Sequence, residues 1–315
     1  MKSDQCDRKI GLTRRTFLTG AAAGASLAVS GSTVTEAQPE SNVPRDICVF
    51  SKHLQWMDFD EMAETAAEIG FDGVDIPVRP RGHVLPENAV DELPRAVEAS
   101  KKAGLSVPMI TTAINGTDSP HAEAILKTAK QAGVSHYRMG YLNYDDKKGI
   151  VGSLDEHKPK IAELAAMNRE IGIHGGYQNH SGAYLGAVIW DIWYLVRDLD
   201  PRWIGCQYDI RHATVEGGLS WPVDLKLIAK FAKTQVVKDF KWGRVDGKWQ
   251  VINTPIDEGM VDFKRYYDLV KSLKISGPIS MHFEYPHEHN RETVVPLMKK
   301  DLLALRAHIN EAGLL

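Results

Sequence analysis

Glu68-Ile69-Gly70-Phe71-Asp72-Gly73-Val74-Asp75-Ile76 reads as the end of one element and the start of the next. Upstream, Phe59–Ile69 sets Met62, Ala66 and Ile69 on one face, the spacing of an amphipathic helix. Gly70 stops that helix, because glycine readily takes the left-handed conformation of a C-cap. Downstream, Gly73–Val78 is a short β-rich run. The same Ala-Gly or Ile-Gly step recurs at Gly104, Gly133 and Gly172. Working outward, strand-like runs fall at Ile47–Lys52, Gly73–Val78, Leu105–Ile114, His136–Leu142, Ile173–His180, Ile204–His212, Thr234–Phe240 and Pro278–Tyr285. Helical stretches separate them; Leu154–Ile171, for example, aligns Ile161, Leu164 and Met167. Eight strand–helix units predict a closed (β/α)8 barrel. An open doubly wound sheet is the competitor, but no GxGxxG turn follows the first strand. Lys241–Val251, after the seventh strand, reads as a hairpin about an Asp246-Gly247 turn.

The composition suits one large α/β domain. The chain has 315 residues, 43% apolar and 25% charged, so a disordered or fibrous chain is excluded. A net charge of −3 implies no strongly basic face, which argues against a nucleic-acid partner. Cys6, Cys48 and Cys206 form neither a disulfide framework nor a CxxC motif. No apolar run of about 18 residues follows the N-terminal region, so no integral membrane segment is expected in the mature protein. Residues 1–37 read as a twin-arginine signal: Thr13-Arg14-Arg15-Thr16-Phe17-Leu18, an apolar run from Gly20 to Val29, then Thr35-Glu36-Ala37 as a cleavage site. Residues 38–45 form a linker and 46–315 the barrel. The expected location is periplasmic or otherwise exported.

In such a barrel the reactive groups stand at the C-terminal strand ends. Polar residues collect there on four consecutive strands. Tyr177-Gln178-Asn179-His180 ends the fifth, Asp209-Ile210-Arg211-His212 the sixth, Lys238-Asp239 the seventh and His282-Phe283-Glu284-Tyr285 the eighth. Strand alternation puts His282 with Glu284, and Gln178 with His180. One such end means little, because Asp and His are common turn and cap residues. Four together point to one pocket.

On these residues the chain resembles the sugar phosphate isomerase/epimerase family, which has a xylose isomerase-like TIM barrel. The resemblance runs from Ile47 to the C-terminus. It is carried by EIGFDGVDI (68–76), YQNHSG (177–182), DIRHA (209–213), VVKDF (236–240), EGMVDF (258–263) and HFEY (282–285). It implies a divalent metal held by Glu on strand five, Asp on six, His on seven and Glu on eight. It also implies substrate contact by the His three residues after the strand-six Asp. Asp209, His212 and Glu284 match this pattern, but Gln178 replaces the first Glu and Val236 the strand-seven His. An amide cannot accept a proton, so the family's two-base epimerisation does not carry over. Gln178, Asp209 and Glu284, with His282 or His180 as the nitrogen donor, would still suit Mn, Co, Zn or Mg.

Other candidates are less sharply drawn. Lys238 faces inward in the register of the missing His, so its ammonium can take over part of a metal's electrostatic role. A structural salt bridge to Asp209 or Glu284 is its alternative. Arg79 and His83 after strand two are candidate substrate contacts, or members of a solvent-facing loop. His53 and Trp56 after strand one are candidate sugar-stacking residues, with plain core packing as the even alternative for Trp56. Trp190, Trp193, Trp203 and Trp221 read as packing residues, and Cys206 as a small buried one. The direction of Arg138 is undecided.

The expected activity is proton abstraction beside the carbonyl of a neutral sugar, keto-sugar or glycoside. Glu284 is the base, His212 the hydroxyl-binding group or proton shuttle, and Gln178 a ligand or orienting partner; a metal or Lys238 polarises the carbonyl. Isomerisation and β-elimination of a 3-keto-glycoside both fit one-base chemistry, and exported lyases of that kind belong to the wider family. A non-catalytic sugar-binding barrel is the competing class; the retained convergent charges argue against it. A DNA-repair role, as in endonuclease relatives, fits worst. Homo-oligomerisation is compatible with the fold.

Overall fold

Asp58 opens the first helix, its side chain accepting from the Glu61 N–H at 2.9 Å, and Gly70 closes it at φ 104° with its N–H on the Ala66 carbonyl. Asp209, Asp262 and Asn290 cap later helices in the same way. The computed structural model describes residues 45–315; the expected export signal (1–37) and all but the last residue of the expected linker (38–45) lie outside them.

The strands are β1 (Ile47–Phe50), β2 (Gly73–Val78), β3 (Ser106–Thr112), β4 (His136–Arg138), β5 (His174–Gln178), β6 (Ile204–Asp209), β7 (Ala232–Val237), β8 (Asp239–Val245), β9 (Lys248–Thr254) and β10 (Ile279–Met281). The α-helices are α1 (Phe59–Ile69), α2 (Ala89–Lys102), α3 (Ala122–Gln131), α4 (Gly149–Ile171), α5 (Ile189–Val196), α6 (Ile210–Gly217), α7 (Trp221–Ile228), α8 (Phe263–Ser272) and α9 (Arg291–Glu311). Eight strands close into a barrel in the order β1-β10-β7-β6-β5-β4-β3-β2, every pair parallel. Val49 pairs with Val74 on one side and Met281 on the other, which completes the ring. Parallel strands covered by helices bury both faces, and β1, β2, β5 and β6 are buried throughout. Among the described residues no helix is long and apolar enough to cross a membrane.

The eight expected strands are all present, but several are shorter at the mouth. β7 stops at Val237 rather than Phe240, and β10 at Met281 rather than Tyr285. The reason is local: mouth residues leave the ladder to bond through side chains. The Asn179 side chain, for instance, donates to the Asp209 carbonyl (2.9 Å) and accepts from the Asp209 N–H (2.8 Å). The hairpin forms as β8 and β9, longer at both ends than Lys241–Val251, and turns where Asp246 and Gly247 take φ 50° and 79°.

Low in the barrel, His136 and His174 lie with ring centroids 5.4 Å apart. Burial pushes His136 down to about 4 and His174 well below the ordinary histidine value. Both rings are therefore neutral in the folded protein, while the unfolded chain takes up protons near pH 6.5. Unfolding then binds protons, so stability falls as pH drops from 6.5 towards 4, by on the order of 1 kcal/mol per pH unit for each such ring. We expect the urea midpoint to fall steadily over that window. A midpoint constant from pH 7 to 4.5 would contradict this account.

Candidate active site

Successive barrel strands deliver a polar side chain to the mouth. Lys52 follows β1, Arg79 follows β2, Arg138 ends β4, Gln178 ends β5 and Asp209 ends β6. Lys238 follows β7, and His282 and Glu284 follow β10. Asp209 doubles as the N-cap of α6, its Oδ1 accepting from the His212 N–H at 3.1 Å. Its other oxygen accepts from Gln178 Nε2 (2.8 Å) and lies 3.4 Å from Lys238 Nζ. The Gln178 oxygen accepts from Arg138 Nη1 (3.0 Å) and the Tyr141 hydroxyl (2.8 Å), which sets the orientation of the amide. Lys238 Nζ reaches Glu284 Oε1 at 3.1 Å, and His282 Nδ1 lies 3.5 Å from the same oxygen. A continuous polar row results, with the Lys238 ammonium suspended between two carboxylates.

The histidines around this row are neutral, and their partners assign the tautomers. His212 Nδ1 accepts from the Ser181 N–H (3.1 Å) and from Arg211 Nη1 (2.9 Å), so its hydrogen sits on Nε2, 3.5 Å from Asp209. His180 Nδ1 donates to the Ser181 carbonyl at 2.9 Å, leaving a lone pair on Nε2. The two rings lie 4.0 Å apart. Burial, reinforced by Lys238, lowers both; it also lowers His53, and it takes His282 to about 4. Burial alone would raise Glu284, but the Lys238 ammonium and His282 outweigh it and hold the carboxyl well below its ordinary value.

An inner cavity of about 140 Å³ is bounded by Gln178, His180, Lys238, His282 and Glu284. It adjoins an outer basin of about 990 Å³ over the β1–β4 loops, which Trp56 lines with His289. Lys52, Arg79, Arg138 and Tyr141 line both.

Seven of the residues singled out in the sequence stand together here: Gln178, His180, Asp209, His212, Lys238, His282 and Glu284. Arg79 sits at the junction of the cavities and Trp56, 41% exposed, farther out. His53 is behind the wall, its Nε2 accepting from the Phe283 N–H at 3.1 Å, so it positions the segment that carries Glu284 rather than facing a ligand. His83 does not reach the mouth. Its ring nitrogens pair with Ser51 Oγ (3.2 Å) and the Met57 carbonyl (3.0 Å), beside a separate surface groove. Sequence reasoning missed Lys52 and Tyr141 and left Arg138 undecided. The strand-end rule, applied to Arg138 in YRMGY, is the signal that finds it.

A family model of the xylose isomerase-like TIM barrel matches residues 63–308. The chain belongs to that family. No functionally curated protein matches it by sequence. Within the fold, an L-ribulose 3-epimerase structure is 11% identical with a TM-score of 0.66, covering 86% of this chain and 96% of that one. A 3-keto-D-glucoside 4-epimerase from E. coli is 14% identical with a TM-score of 0.63, covering 84% and 100%. A family protein from Mycobacterium smegmatis, solved in complex with magnesium, is 13% identical with a TM-score of 0.63, covering 84% and 98%.

The metal set expected for this family member does not assemble. The Gln178 oxygen already accepts two hydrogen bonds, and its amide nitrogen, not its oxygen, faces Asp209. The Lys238 ammonium stands between Asp209 and Glu284, where a cation would have to sit. Among the described residues no three His, Cys, Asp or Glu side chains are grouped so as to hold a metal ion. The residues present fit an ammonium-centred site instead.

Proposed function

We propose that the protein abstracts a proton from the carbon beside a carbonyl of a non-phosphorylated sugar or keto-sugar, with Glu284 as base and Lys238 as the electrophile. The observation that carries this reading is the Lys238 ammonium, 4% exposed, held 3.1 Å from Glu284 beside a cavity that admits only a few atoms. A carbonyl oxygen docked on Lys238 gains a charged donor that is itself almost fully buried. Negative charge developing on that oxygen is then met by a group already in place. Drawing the ammonium toward the substrate also weakens its hold on Glu284, so the carboxylate becomes more basic as the proton leaves carbon. His180 Nε2, with its free lone pair, is placed to take or return a hydroxyl proton. The resulting enolate is reprotonated in an isomerase, or expels a β-substituent in a 3-keto-glycoside lyase. The twin-arginine motif supports work outside the cytoplasm, which cell fractionation tests.

The decisive measurement is proton NMR of keto-sugars and 3-keto-glycosides in heavy water. We expect solvent deuterium at one carbon with one configuration, and release of the glycosidic group if elimination follows. Turnover should survive exhaustive dialysis against a chelator and gain nothing from added Mn, Co, Zn or Mg. Loss on chelation with recovery on metal addition would return the carbonyl to a metal and overturn the role of Lys238. Absence of exchange across the panel would overturn the reading as a whole.

A further inference from the structure

The junction between the two cavities is more cationic than the proposed reaction requires. Three of the four residues shared by both linings, Lys52, Arg79 and Arg138, are cations, and Tyr141 is the fourth. Lys238 has two carboxylates to balance it, whereas the other three form no ion pair among the described residues. Arg138 is the telling case. It is 5% exposed, yet its guanidinium donates only to neutral oxygens: Gln178 Oε1, the Tyr141 hydroxyl and, at 3.4 Å, the Thr112 carbonyl. Its Nε is buried without a partner. Arg79 lies over the Phe50 ring at 5.5 Å and also lacks a carboxylate. The remaining acid in reach, Asp75, is fully buried deeper in the barrel, where the Thr111 and Ser280 hydroxyls take its oxygens. Burial is the main influence lowering Lys52 and Arg79; neighbouring cations act in the same direction on both, opposed at Lys52 by Glu284 and at Arg79 by Tyr141 and Asp75. A buried cation is costly unless paired, so Arg138 buried without a carboxylate, with the partly buried Arg79 and the exposed Lys52 gathered beside it around an opening, suits an anion that arrives from outside.

We propose that the substrate is a sugar acid, whose carboxylate seats at this junction among Lys52, Arg79 and Arg138 while its carbonyl end enters the inner cavity. This names the substrate class of the reaction proposed above, and so rests on that reading for the carbonyl end only. Two planar guanidinium forks suit the two oxygens of a carboxylate, and Lys52 at the rim adds an adjustable third contact. A neutral sugar would leave all three cations unmatched, which discriminates against it. This proposal departs from the expectation of a neutral substrate.

The test is calorimetric titration of the mature protein at neutral pH and low salt. The probes are D-glucuronate and D-galacturonate, their neutral parents D-glucose and D-galactose, and glucose 6-phosphate. We expect at least one uronate to bind about tenfold or more tightly than its parent, with an advantage that shrinks as salt is raised. Arg79→Gln and the rim variant Lys52→Gln should each remove most of that advantage, read as the ratio of uronate to parent-sugar affinity. Lys52 is exposed, so its variant folds even if the other does not. Equal binding of acids and parents, or a uronate advantage intact in both variants, overturns the proposal. Tighter binding of the phosphate ester than of either uronate overturns the choice of carboxylate. Exchange on neutral keto-sugars without any uronate preference would sink this inference and leave the proposed reaction standing. Uronate binding that depends on Arg79, with no exchange on any keto acid, would do the reverse.

Discussion

Glu284→Gln should lower the rate of carbon-bound proton exchange by about a hundredfold or more, since general-base contributions span about 10² to 10⁴. The substitution keeps the shape of the side chain and lets its oxygen still accept from Lys238, which sits 3.1 Å away. It removes only the capacity to take a proton. Glu284 is 28% exposed at the mouth and lies outside any strand, so the variant should fold and its thermal transition should stay close to that of the parent. Substrate affinity should change far less than turnover, because the carbonyl contact is made by Lys238. The measurement is the deuterium incorporation rate in heavy water, with unfolding followed in parallel. Near-normal exchange in a folded variant would hand the base role to His180, a neutral acceptor facing the inner cavity.

Much of this arrangement could be read from the chain because it depends on local rules. Glycine-capped helices at Gly70, Gly104, Gly133 and Gly172 punctuate the strands, and a barrel sends the last residue of each strand to one rim. That logic alone brings Gln178, Asp209, Lys238 and Glu284 together. What escaped depends on contacts between segments far apart in sequence. His83 looked free for a ligand, but Ser51 and Met57, 32 and 26 residues away, take both of its nitrogens. His53 is spent on a backbone amide 230 residues distant. Arg138 could point either way until pairing of β4 with Gly176 of β5 set its register beside Gln178. The metal set was inherited from positions that match a resemblance, and positional matching is blind to what a neighbouring side chain does. Lys238 lies two residues beyond Val236, and its long stem carries a charge into the space that the absent histidine and metal would share.

Lys238→Met should cost about a hundred- to a thousandfold in turnover, the range lost when one preorganised oxyanion donor is removed. Its more telling effect is on pH. With the ammonium present, Glu284 is held well below the ordinary carboxylate value, so its basic form persists throughout the weakly acidic range. The acid limb of kcat/KM in the parent therefore lies below about pH 4.5. Without the ammonium, burial is the main influence left, and it favours the protonated acid. The second carboxylate, Asp209, now faces Glu284 with no cation between them and pushes in the same direction. Glu284 must then rise, and residual activity should climb with pH through a limb shifted toward neutrality. A purely structural lysine would lower activity without moving that limb. The same deletion leaves two mouth carboxylates with no shared counter-charge, a vacancy that a divalent cation can fill. Titration with Mn should accordingly reveal binding in Lys238→Met that the parent lacks, and Lys238→Gln serves as a second variant should the first prove unstable. An unmoved acid limb, together with equal Mn binding by parent and variants, would show that the ammonium neither tunes Glu284 nor stands in the place of a metal.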